Sequence, residues 1–173
     1  FMVSAVLEAL AELGADPLLT ISPGSRIRLL GTVNTLDSKA APAYAEALLA
    51  AGYTTLKVKV GYDPVADAER VCALAAVVTG RGILRMDANQ GYTLEQAQQF
   101  ARCIPVDVAE VFEQPVPAER WDWLEALGRT SPLPLMLDES IYSDADIVRA
   151  GHLPGIKAVK LKMSKSGGPG GLS

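Results

Sequence analysis

Ionisable residues recur in this sequence at one kind of place, the last positions of short apolar, often β-branched runs. TLKVKV carries Lys57 and Lys59, LRMDAN carries Asp87 and Asn89, and VAEVFE closes on Glu113. PLMLDE closes on Asp138 and Glu139, and KAVKLK carries Lys160 and Lys162, with Lys165 three residues further on. Side chains two apart in a strand share a face, so Lys57 and Lys59 point together while Val58 and Val60 point the other way. A K-x-K pair taken alone reads as a wetted strand face. In a strand covered on both faces, inward lysines are costly unless carboxylates or developing substrate charge offset them. Lys59 is then a candidate base for proton transfer.

The acids admit a similar pair of readings. Asp87, Glu113 or Asp138, taken singly, starts a loop or caps a helix. Three of them ending successive runs would repel one another unless a hard cation bound them. Oxygen donors with no His or Cys nearby favour Mg²⁺ over Zn²⁺, with Mn²⁺ as the alternative. Asn89 and Glu139 would then lie behind the ligands or face substrate.

Other chemistries are poorly supplied. His152 is the one histidine, which excludes His-rich metal sites and argues against a Ser-His-Asp triad; it follows DADIVRAG as a surface or capping residue. Cys72 and Cys103 lack metal-ligand spacing and read as buried thiols of a reducing, cytoplasmic compartment. A net charge of −4 without a basic stripe argues against nucleic acid. No apolar run reaches the ~20 residues of a membrane span. The opening FMVSAVLEALAELG carries Glu8 and Glu12 and reads as an amphipathic helix, not as a secretion leader.

Something must hold these groups in place, and the chain supplies it periodically. Strands are predicted over 27–33, 55–60, 82–88, 108–113, 134–139 and 157–162, beginning about 25 residues apart. Between them lie APAYAEALLAAG, PVADAERVCALAAVV, TLEQAQQFARCI, RWDWLEALGR and DADIVRA, each apolar at helical spacing. Asp63-Pro64, Thr93 and Ser143 stand where helices want an N-cap or an N1 proline. Alternating β and α units predict a parallel sheet with right-handed crossovers. The first strand is not followed by the Gly-rich turn of a doubly wound nucleotide domain, which favours a (β/α) barrel. Catalytic groups of such barrels sit at the C-terminal ends of the strands. Six strands are visible where a closed barrel has eight, so an α/β fold comprising the first six βα units of an incomplete barrel is expected. Trp121 and Trp123 are read as packing residues, Tyr62 and Tyr92 as loop aromatics able to touch substrate. Arg85 is expected to pair with a carboxylate or to lie at the periphery of the barrel.

LKVKVG, RMDANQGY, FEQPVP, LDES and KLKMSKSGG, in this order and spacing, resemble the motif series of the enolase superfamily. More narrowly they resemble its muconate lactonizing enzyme subgroup, and ANQGYT and EQPVPA its dipeptide epimerases. The likeness runs from about Gly31 to Gly168. It implies a partial catalytic barrel over residues 31–173, preceded over 1–30 by the tail of a connection from a capping domain. It also implies Asp87, Glu113 and Asp138 as Mg²⁺ ligands, Lys59 and Lys162 as acid and base on opposite faces of the substrate, and Lys57 as their electrostatic neighbour. Lys165 belongs to the same motif, beside the ligands or the substrate. Lys160 falls outside the family pattern. The reaction implied is removal of the α-proton of a small carboxylate through an enediolate, a scheme general to these enzymes. Racemisation or epimerisation of amino-acid derivatives or dipeptides comes first, muconate cycloisomerisation or o-succinylbenzoate formation second. A non-catalytic remnant is the rival, because a barrel short of two strands leaves open edges. Homo-oligomerisation could cover those edges and is expected.

Overall fold

The computed structural model describes Gly24 and residues 26–166. Each of the six predicted strands forms: β1 (Gly31–Val33), β2 (Thr55–Lys59), β3 (Ile83–Asp87), β4 (Ala109–Glu113), β5 (Leu135–Leu137) and β6 (Ile156–Val159). The helices are α1 (Ala41–Ala50), α2 (Pro64–Val78), α3 (Leu94–Cys103), α4 (Trp121–Thr130), α5 (Asp144–Gly151) and the short α6 (Met163–Ser166). The strands form one sheet in sequence order, with every adjacent pair parallel. Among the described residues β1 and β6 are its two edges. The expected N-terminal amphipathic helix and the glycines beyond Ser166 lie outside the described residues.

Helix starts follow the cap residues. Asp63 accepts from the N–H groups of Val65 and Ala66, with Pro64 as the first helical residue of α2. Thr93 and Ser143 each form a reciprocal capping box, with Gln96 and Asp146 respectively. His152 terminates α5 as an exposed C-cap, as its position suggested.

The alternation within β2 and β3 decides which side chains meet the helices. Leu56, Val58, Leu84 and Met86 are fully buried. Val71, Leu74, Phe100, Leu124 and Leu127 belong to the same buried cluster. Tyr92, Phe100 and Phe112 join in one aromatic group with centroids 5.0–6.2 Å apart. Each such large apolar side chain contributes about 1.5–3 kcal/mol on burial. The intervening Lys57, Lys59, Arg85 and Asp87 are left on the opposite face of the sheet.

Two expectations are corrected by this packing. The first strand is shorter than predicted, because its pairing with β2 covers only Gly31–Val33 opposite Leu56–Val58. Ile27 and Leu29, counted in that strand from their apolar character, are exposed. Cys72 and Cys103 are exposed thiols, not buried ones. Val71, Leu74, Ala75 and Val78 form the inward stripe of α2 and leave Cys72 off it. No helix among the described residues is long and apolar enough to cross a membrane.

Candidate active site

Strand register places the acids and lysines in one layer. Lys59 lies opposite Asp87 across β2 and β3, and Asp87 opposite Glu113 across β3 and β4. Asp138 follows β5 directly, and Lys160 follows β6 directly, its N–H donating to the Leu137 carbonyl at 2.7 Å. The three carboxylates are each 1% exposed. Lysines bridge them into a row of alternating charge. Lys57 Nζ stands 2.6 Å from Asp87 Oδ2 and 2.9 Å from Glu113 Oε2. Lys160 Nζ stands 2.7 Å from Glu113 Oε1 and 3.4 Å from Asp138 Oδ2. Lys59 closes one end on Asp87 Oδ2 at 2.7 Å. Lys162 and Lys165 close the other on Asp138, at 2.6 and 2.8 Å. Lys165 also donates to the Asp138 carbonyl and lies 4.8 Å from the Tyr142 ring centroid.

Electrostatics follow from this arrangement. Burial would push the Asp87 carboxyl up, but the ammonium groups of Lys57 and Lys59 outweigh it and hold the group below the ordinary carboxylate range. Burial acts on Asp138 in the same direction, and Lys162, Lys165 and Lys160 together drive it well below that range. Desolvation would lower Lys160, yet its bond to Glu113 and the charges around it lift it above the ordinary lysine value.

The turns leaving β3 and β4 carry backbone strain. Asn89, Gln90 and Gln114 have positive φ, at 43°, 68° and 35°. Asn89 repays its conformation with contacts: it donates through Nδ2 to Glu139 Oε1 at 2.9 Å and accepts from Lys59 Nζ, while its N–H donates to Asp87 Oδ1. Asn89 and Glu139 are therefore brought to the acid row. The β2 and β3 exits are locked face to face by two glycines. A Cβ on Gly61 would come within 2.3 Å of the Ala88 carbonyl oxygen, and one on Gly91 within 2.2 Å of the Gly61 carbonyl oxygen.

Gln114 joins the ends of β4 and β5. Its Oε1 accepts from the N–H groups of Asp138 and Ser140, and its Nε2 donates to the Val116 carbonyl and Ser140 Oγ. It is completely buried. Gln114→Glu keeps the shape but faces an acceptor oxygen toward the Val116 carbonyl. A loss of about 2 kcal/mol is expected in urea unfolding, and wild-type stability would show that the amide does not hold this corner.

The donor set suits a hard divalent cation in its chemistry: three buried carboxylates, all oxygen, on successive strand ends. Glu139, whose Oε1 holds Asn89, also has a buried Oε2 without a hydrogen-bond partner. The carboxylates nonetheless stand in line. Among the described residues no three His, Cys, Asp or Glu side chains gather closely enough to hold an ion as they stand. Lysine ammonium groups occupy the intervals.

The model of the enolase C-terminal domain-like family matches residues 40–172. The chain belongs to that family. A relative, the L-Ala-D/L-Glu epimerase of Thermotoga maritima, is 35% identical over 71% of this chain and 36% of its own length. Muconate cycloisomerase 1 of Rhodococcus opacus is 30% identical over 66% of this chain and 31% of its own length. Among solved structures, a dipeptide epimerase from Cytophaga hutchinsonii, complexed with Mg and the dipeptide D-Ala-L-Val, superposes with a TM-score of 0.77 at 26% identity. That match covers 96% of this chain and 44% of the other. The chain thus spans less than half the length of these proteins. The six units are the α/β arrangement of an incomplete enolase-superfamily barrel, and the subgroup is that of the dipeptide epimerases and muconate cycloisomerases.

The remaining assignments sort themselves by contact. Tyr92 is not a substrate-facing aromatic; it is 2% exposed and donates its hydroxyl to Asp67 Oδ2 at 2.6 Å. Burial and that carboxylate hold its phenol well above the ordinary tyrosine range. Tyr62 is exposed. Arg85 pairs with Glu110 through two nitrogens, at 2.5 and 2.8 Å. Trp121 and Trp123 lie in the first turn of α4 beneath the guanidinium groups of Arg149 and Arg120. Three residues of the site region are assigned no role by the sequence. Lys160 was set aside because it lies outside the family motif. Asp67 and Arg70 are given no role by the sequence, although D-A-E-R places them one turn apart on the face that carries Val71 and Leu74, where a charged pair is out of place.

Proposed function

We propose that this chain carries the proton-moving centre of an isomerase that removes and returns the α-proton of a small carboxylate, foremost a racemase or epimerase of amino-acid derivatives such as dipeptides. The observation that supports this best is the position of Lys59 and Lys162 at opposite ends of the acid row, on β2 and just after β6. The naming of relatives as epimerases of L-Ala-D/L-Glu and L-Lys-D/L-Arg agrees with it.

The chemistry asks two things of these residues. An amine must accept the α-proton on one face while an ammonium supplies a proton to the other, so that the carbon inverts and charge balances. Lys59 and Lys162 take these roles, exchanging them for the reverse direction. As the α-proton leaves, its electron pair passes into the substrate carboxylate as an enediolate. Lys57 lies beside the developing charge, and its 12% exposure keeps water from weakening that interaction. Asp87, Glu113 and Asp138 would hold Mg²⁺, which when bound supplies further positive charge against the second negative charge of the enediolate. Asn89 positions Lys59, and Glu139 positions Asn89.

The same proton transfer serves cycloisomerisation of a muconate, and the muconate cycloisomerase relative favours that as the second reading. A thermal melt with Mg²⁺, with chelator, and with Asp138→Asn tests the ligand assignment. At ~100 times its dissociation constant the ion is expected to add about 2.7 kcal/mol to the wild type and nothing to the variant. A melt that ignores Mg²⁺ would instead favour a chain that keeps the motifs without the chemistry.

A further inference from the structure

Neither the expected ligand set nor the pair of expected bases accounts for Lys160. Its ammonium lies between two of the three buried carboxylates, 2.7 Å from Glu113 Oε1 and 3.4 Å from Asp138 Oδ2. Lys57 fills the interval between Asp87 and Glu113 in the same manner. Five ammonium groups, of Lys57, Lys59, Lys160, Lys162 and Lys165, thus face the three carboxylates of Asp87, Glu113 and Asp138. The cluster already carries more positive than negative charge. A divalent ion bound there would have to share Glu113 and Asp138 with an ammonium a few ångströms away, and two cations at that distance repel strongly in a partly desolvated site.

We propose that Lys160 is a built-in cation that competes with the divalent ion for Glu113 and Asp138, so that the ion enters only as the Lys160 ammonium swings out. This rests on the reading of Asp87, Glu113 and Asp138 as the ion's ligands. Lys160 suits the task better than its neighbours. Its side chain is 34% exposed and its flexible stem can carry the charge into solvent, whereas Lys57, at 12%, is held within β2. Lys162 and Lys165 reach only Asp138 among the three acids. Lys160 alone of the described lysines joins Glu113 to Asp138. The consequence is a site whose acids stay compensated before the ion arrives, at the expense of affinity once it does.

Binding of Mn²⁺ to the full chain, followed by the EPR signal of the free aquo ion, tests this directly. Lys160→Met is expected to bind Mn²⁺ at least about tenfold more tightly than the wild type, about 1.4 kcal/mol. Lys160→Arg, which keeps the charge, is expected to stay close to the wild type. The ion-free Lys160→Met protein should also melt at a lower temperature, since two buried carboxylates lose their shared cation. A merely structural lysine would lower the melt without tightening Mn²⁺. Should Lys160→Met not fold, Lys160→Gln serves for the same comparison. Equal affinities, with binding lost in Asp138→Asn, would overturn the proposal and leave the ligand reading standing. Absence of Mn²⁺ binding in both the wild type and the neutral variant would overturn the ligand reading, and the proposal with it.

Discussion

Alanine at Lys59 or at Lys162 is expected to abolish inversion of the substrate α-carbon, with a loss of about 10²–10⁴-fold for each. The two effects should differ in kind from an ordinary loss of rate. In deuterated water the unaltered protein would exchange the α-proton of either enantiomer and interconvert them. With one lysine gone, the other can still reach the α-proton that faces it. One enantiomer should therefore exchange with retention while the other becomes inert, and the two variants should show opposite preferences. Proton NMR of each pure enantiomer reads this without coupling to another enzyme. Neither variant should lose the fold. Asp87 keeps Lys57 when Lys59 is removed, and Asp138 keeps Lys160 and Lys165 when Lys162 is removed. Unimpaired racemisation by either variant would sink the two-base assignment. Exchange of both enantiomers by a single variant would move one of the roles to a third residue, with Lys57 the first to be tested.

What could be read in advance divides along physical lines. Strands and helices were legible because burial imposes their periods: the alternation of Leu56 and Val58 with Lys57 and Lys59 is the outward and inward side of β2 written in sequence. Cap residues were legible because the side chains of Asp63, Thr93 and Ser143 bond within their own first turn. The acids and lysines of the site could be located because strand ends in a parallel sheet fall in one layer, so position along the chain converts into position in space. Contacts between elements could not be found this way. Lys160 meets Glu113 across β5, 47 positions away in sequence, and no local pattern announces that distance. Tyr92 looked available to a substrate because it follows β3 in a loop, yet its partner Asp67 lies on α2. Cys72 looked buried because its neighbours in sequence are apolar, when what matters is its angle around the helix.

Asp67→Ala is expected to cost about 3–5 kcal/mol, the range for breaking a buried ion pair by removing one partner. Asp67 is 1% exposed and Arg70 is 3% exposed, with 2.7 Å between them. The Asp67 Oδ2 atom accepts from the N–H groups of Gly61, Tyr62 and Asp63 and from the Tyr92 hydroxyl. Alanine would leave all four donors and a buried guanidinium without that carboxylate. Arg70 would keep only the Leu36 and Lys59 carbonyls, and its Nε already lacks a partner. The damage should reach the site by one further bond. Arg70 donates to the Lys59 carbonyl at 2.6 Å, so the pair fixes the backbone that carries the expected base. Tyr92→Phe removes only one of these bonds and should cost about 1 kcal/mol, which separates the hub from any single contact. Urea unfolding of both variants checks the order. Asp67→Ala within 1 kcal/mol of the wild type would show that water or a shifted loop satisfies these donors, and that Lys59 is positioned by its strand alone.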